Sequence, residues 1–139
     1  MSGDEVPEVS CCDTAVPRLP GLSAAVISKN VSHEIAKLKS ASSWHEATGR
    51  SSETLAKYTG FSVVLVLMKE ATQMCTHHAD EATSLYVIQG HIRIHLSEEQ
   101  CADLGVGELL VLEAGLKHDV EAREESAFLL TITGVHRAI

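Results

Sequence analysis

An all-β barrel or sandwich is the fold this sequence predicts, and three observations predict it. From residue 52 onward, short apolar segments recur between turn signals, with no helical pattern interleaved. The strongest of them, Phe61-Ser-Val-Val-Leu-Val-Leu-Met68, is β-branched and nearly continuous in apolar character. The chain has 139 residues, which fits one domain burying roughly two-thirds of its unfolded surface.

Residues 1–22 read as an arm, because Pro7, Pro17, Pro20 and Gly21 interrupt any periodicity. A single domain is expected over 23–139. Val31, Ile35 and Leu38 fall at i, i+4 and i+7, and Asn30 or Ser32 can cap them, so a short helix is predicted there. Trp44 follows in a polar loop and reads as the anchor of that loop on the barrel. Strands are then expected at Thr54–Tyr58, Phe61–Met68, Gln73–His77, Ser84–Gln89, His91–Leu96, Glu108–Leu112, His118–Ala122 and Ala127–Ile132. Gly90 sits between two of them, as a tight hairpin turn requires. The acidic run Glu121–Glu125 reads as a solvated turn. In 61–68, 108–112 and 127–132 both alternating faces are largely apolar, whereas a strand with one wet face alternates cleanly. Their outer faces therefore call for cover, from the N-terminal segment or from a second subunit, and a homodimer is expected.

Composition narrows the function classes. The formal net charge of −8 argues against nucleic acid, whose phosphates need clustered Lys and Arg, and against an anionic membrane surface. No apolar run reaches the roughly 18 residues of a membrane span. The start, Met1-Ser-Gly-Asp-Glu-Val-Pro-Glu, lacks the basic and apolar regions of a signal peptide, so a cytoplasmic setting is expected. The four cysteines, Cys11, Cys12, Cys75 and Cys101, show no disulfide or zinc-ribbon spacing and are expected as thiols. No activated-serine motif, P-loop or Gly-rich dinucleotide turn is present.

Two motifs within residues 71–122 resemble those of the cupin superfamily. The family's second motif reads Gly, five residues, Pro, any, Gly, two residues, His, three residues, Asn. Here Gly107, Gly115 and His118 keep their places, while Glu113 stands for Pro and Ala122 for Asn. Of the first motif (Gly, five, His, any, His, three or four, Glu, six, Gly) His77 and Gly90 match. Ala71 replaces its first Gly, Ala79 its second His and Thr83 its Glu. Ser84-Leu-Tyr-Val-Ile-Gln-Gly90-His-Ile-Arg-Ile-His-Leu resembles the strand–Gly–strand hairpin of small RmlC-like cupins, and the Trp44 region resembles the leader of uncharacterised bacterial ones. The resemblance covers roughly residues 30–135. It implies a cupin double-stranded β-helix, or jelly-roll barrel, preceded by a short helix and an arm. It does not choose a reaction, since that fold hosts dioxygenases, isomerases, sugar-binding domains and storage proteins.

In the family, two histidines and a Glu of the first motif and the His of the second converge on one divalent metal. Residues two apart on a strand share a face about 7 Å apart, so His-x-His can close on one ion. Carried onto this chain, Cys75, His77 and Ala79 share the inward face, with Thr83 and His118 approaching from other strands. Ala79 and Thr83 remove two of the four ligands. His77 and His118 remain as metal candidates, with Cys75 and His78 as helpers. One divalent ion (Zn, Ni, Cu, Fe or Mn) would fit such a set, and a Cys–His–His trio would suit Zn(II) or Cu(II). The alternative is a metal-free pocket lined by Cys75, His77, Thr83 and His118. Two histidines there would orient an anionic or hydroxylated small molecule.

His91, Arg93 and His95 alternate with Ile92, Ile94 and Leu96, so the apolar set faces the core and the polar set faces out. Cys101 reads as a core or edge filler with no His or Lys pattern beside it. Three functions stay open at this point: a non-catalytic small-molecule binder, a metal-dependent dioxygenase or isomerase, and a structural dimer with a vestigial pocket.

Overall fold

A computed structural model describes residues 21–45, 48–75, 81–96 and 99–134, with only the backbone at Ser43. Residues 1–20 of the 1–22 arm lie outside them, as do His77, His78, Ala79, Asp80 and His136. Two antiparallel sheets face each other. One has five strands in the order β1-β2-β9-β4-β7: β1 (Arg50–Tyr58), β2 (Phe61–Met68), β9 (Ser126–Thr133), β4 (Ala82–Gln89) and β7 (Leu109–Leu112). The other has four in the order β3-β8-β5-β6: β3 (Gln73–Cys75), β8 (Asp119–Ala122), β5 (Ile92–His95) and β6 (Cys101–Leu104).

The core between the sheets draws one alternating set from each strand. Val66 and Met68 of β2, Leu85 and Val87 of β4, and Phe128 of β9 meet Ile92 and Ile94 of β5 and Val120 and Ala122 of β8. The outward assignment of Arg93 and His95 follows directly, since Ile92 and Ile94 are fully buried. Gly90 turns the chain between β4 and β5 at a φ of 83°. A Cβ there would run into the carbonyl oxygen of Glu125 and into Ser126, so only glycine fits.

A second core lies on the outside of the five-stranded sheet. Helix α1 (Val31–Lys39) is capped by Asn30, whose side chain accepts from the His33 backbone N–H at 3.0 Å. Ile35 and Leu38 of the helix, together with Trp44, pack on Leu55, Leu65, Leu67 and Ala127. Trp44 is buried as the loop anchor expected, with Lys69 Nζ held 5.0 Å above its ring. The helix also carries a buried acid. Glu34 pairs with Lys37 at 3.0 Å, and that hydrogen-bonded ammonium lowers the carboxyl's pKa despite burial. The chain itself therefore covers β2 and β9, two of the three strands whose outer faces call for cover. On β7, Leu109 and Val111 remain 58% and 64% exposed, beside Tyr86.

Two elements depart from the sequence reading. β1 begins at Arg50 instead of Thr54, because Arg50-Ser-Ser-Glu53 extends by pairing with Leu65–Met68 and not by its own propensity. β6 at Cys101–Leu104 is an added strand, formed by pairing with β5 despite having no β-branched residue. Glu121 also stands in β8 and not in the turn that follows it. Among the described residues no helix is long and apolar enough to cross a membrane.

Candidate functional site

Thr83 and His118 are the described residues of the expected site that turn inward. Thr83 shares the inner face of β4 with Leu85 and Val87 and is only 4% exposed. Its hydroxyl donates to the Glu81 carbonyl at 3.3 Å. His118 enters β8 with the same burial, 4% exposed, on the parity of Val120 and Ala122. The preceding loop turns at Gly115, whose φ of 97° is the left-handed value that keeps glycine at this place in the second motif.

The backbone fixes the His118 ring. Nδ1 lies 3.2 Å from the Leu116 carbonyl oxygen. A carbonyl only accepts, so Nδ1 carries the proton of the neutral ring and Nε2 keeps a lone pair. His118 borders a cavity of about 470 Å³, together with Leu96, Gln100, Leu116, Lys117 and His95. A buried histidine with one nitrogen anchored and the other bare can accept a hydrogen bond from a hydroxyl or an acid, or donate when protonated. A second cavity, of about 430 Å³, lies beside Arg50, Ser51, Val66 and Met74. Thr83 and Cys75 line neither.

Cys75 does not take the expected direction. In β3 it is Met74 that packs into the core, while Cys75 is exposed on the outer face opposite Asp119. The inward position of a three-residue strand went to its largest apolar side chain. His77 and His78 lie outside the described residues, so the structure gives neither a place in the site. Ala71, at the first motif's opening glycine, is the one described non-glycine residue with a positive φ, 73°. A left-handed backbone, which favours glycine, thus stands where the motif has glycine.

The described residues do not fit a divalent metal. Thr83 brings a hydroxyl where the family has a carboxylate, Cys75 faces away, and His118 is left as a single donor. Among the described residues no group of three or more His, Cys, Asp or Glu is placed to hold a metal ion.

A group that the sequence reading passed over lies on the outer face of the four-stranded sheet. Arg93 binds Asp103 twice, at 2.7 and 3.3 Å, and lowers its carboxyl pKa. His95 Nε2 lies 2.9 Å from Glu121 Oε1, and this hydrogen bond is the main cause that lowers the Glu121 pKa. His95 Nδ1 lies 3.5 Å from Cys101 Sγ, so the cysteine does have a histidine beside it. That neighbour comes from β6 pairing, which sets Cys101 directly opposite His95.

Comparison with solved structures decides the fold. A conserved Streptococcus pyogenes protein of unknown function superposes with a TM-score of 0.62 at 15% identity, covering 89% of this chain and 100% of that one. An RmlC-like cupin from Shewanella frigidimarina gives 0.58 at 12% identity over 66% of this chain and 81% of its own. This chain has the cupin fold. An oxalate decarboxylase variant from Bacillus subtilis also superposes, with a TM-score of 0.55 at 24% identity, over 63% of this chain and 26% of that chain. Cupins of such different description share the barrel, so the fold alone assigns no ligand. No protein-family model matches the sequence, and no curated protein matches it.

Proposed function

We propose that this cupin is a metal-independent binder of a small hydroxylated or carboxylate-bearing molecule, held against His118. The observation that carries the reading is the His118 ring itself, buried, anchored at Nδ1 and bordering a cavity. Lys117 and Gln100 add a cation and an amide to the same cavity, and Leu96 and Leu116 give it apolar walls. Thr83, at the position of the family's acidic ligand, supports binding without a metal.

Calorimetric titration with glycolate, malate and gluconate, with and without EDTA, tests this reading. Saturable binding of one of them is expected, indifferent to EDTA and weakened at least about tenfold by His118→Ala. No binding by any of the three, or equal binding by the variant, would overturn it.

A homodimer belongs to the same proposal. Tyr86, Leu109 and Val111 form the apolar remainder of an outer face that α1 and Trp44 cover elsewhere, and a second copy would cover it in the same way. The free thiols Cys75 and Cys101 support a cytoplasmic setting.

A further inference from the structure

Strand register sets Cys75, Asp119, His95 and Cys101 in one row across the outer face of the four-stranded sheet. Gln73, Glu121, Arg93 and Asp103 form the next row. Three of these side chains stand in line. Cys101 Sγ lies 3.5 Å from His95 Nδ1, and His95 Nε2 lies 2.9 Å from Glu121 Oε1. Arg123 donates to the other Glu121 oxygen at 3.2 Å and so fixes the carboxylate.

A carboxylate only accepts, so the proton of the neutral ring sits on Nε2 and the Nδ1 lone pair points at the thiol. An exposed thiol, an imidazole with its near nitrogen bare, and a carboxylate holding its far nitrogen make up the nucleophile, base and orienting group of acyl transfer. His95 also borders the cavity of about 470 Å³, where Leu96 and Leu116 offer an apolar wall beside this line.

We propose that Cys101 is a covalent acyl-acceptor site for thioesters and aryl esters, with His95 as its proton acceptor and Glu121 as a positioning residue. Sγ attacks the carbonyl carbon, forming the S–C bond as its proton passes to His95 Nδ1. The bond from that carbon to the leaving oxygen or sulfur breaks, and the leaving group takes the proton back from Nδ1. The product is an S-acyl Cys101 and a free phenol or thiol, with no net oxidation. The line stands on the outer face and opens onto the cavity that His118 also borders, yet its chemistry is carried by Cys101, His95 and Glu121 and is read at Cys101 alone.

The test treats the full chain with p-nitrophenyl acetate and follows acetylation of each cysteine by peptide mass spectrometry. Cys75, exposed on the same face, reports whether a substitution disturbs the sheet as a whole. Acetylation of Cys101 is expected to slow at least about tenfold in His95→Ala, while that of Cys75 is unchanged. Glu121→Ala should slow it as well, and Glu121→Gln, which keeps an acceptor for Nε2–H, should restore part of the rate. The proposal is overturned if wild-type Cys101 is not acetylated or if His95→Ala leaves its rate unchanged. An equal fall at Cys75 would overturn it too, since the effect would then be structural.

Discussion

On the outer face of the five-stranded sheet, Leu65, Leu67 and Ala127 lie beneath α1 and Trp44, while on the outer face of the four-stranded sheet Arg93 is ion-paired with Asp103 and His95 is hydrogen-bonded to Glu121. The first face is a second hydrophobic core. Fully burying one leucine there stabilises the fold by about 2 kcal/mol. The second face gains little from its pairs, because water screens exposed charges and competes for their hydrogen bonds. Stability thus concentrates on one sheet, and polar chemistry is left to the other.

The largest expected effect follows from that contrast. Leu67→Ala, at a site with no solvent exposure, should cost about 3 kcal/mol in chemical denaturation. A loss no greater than that of a surface substitution would mean that α1 does not seal this face. Next comes a change at the turn joining β2 of the large sheet to β3 of the small one. Ala71 holds a left-handed conformation that costs an L-residue about 1 kcal/mol, so Ala71→Gly should stabilise the protein by about that amount.

Arg93→Ala on the polar face should destabilise less than either change, and the effect should shrink further in high salt. Val111→Lys, on the open apolar remainder, should leave subunit stability nearly unchanged while reducing the sedimenting mass from dimer to monomer. A wild-type chain that sediments as a monomer at micromolar concentration would remove the second copy from the account.

Acid should probe both faces at once. Glu34, Asp103 and Glu121 have folded-state pKa values lowered by Lys37, Arg93 and His95 in turn. The stability these groups contribute is present above the ordinary carboxylate range and is lost as pH falls through the lowered values. Denaturation midpoints should therefore hold from pH 7 to about 5 and fall below about 4. Asp103→Asn or Glu34→Gln should flatten that fall.

How much of this was legible in the sequence depends on the range of the interactions involved. The barrel strands other than β6, α1 with a cap at Asn30 or Ser32, and the buried Trp44 were legible, because alternation and capping are local signals. The outward direction of Arg93 and His95 followed from Ile92 and Ile94 in the same way. Cys75 was misplaced because motif alignment fixed the parity of a strand too short to show it, and packing gave the inward position to Met74. The Cys101–His95 contact escaped because β6 has little strand propensity of its own. Only cross-strand register, which no single segment carries, sets the two side by side. His118 was visible from its motif, but the carbonyl that fixes its tautomer was not.

Whether His118 works without a metal is read from the metal content of protein purified without a metal column. His118→Ala and His77→Ala would be analysed alongside. Far less than one ion per chain is expected, with no uptake of added Zn(II) or Fe(II). Near one ion per chain in the wild type, lost in both variants, would contradict it.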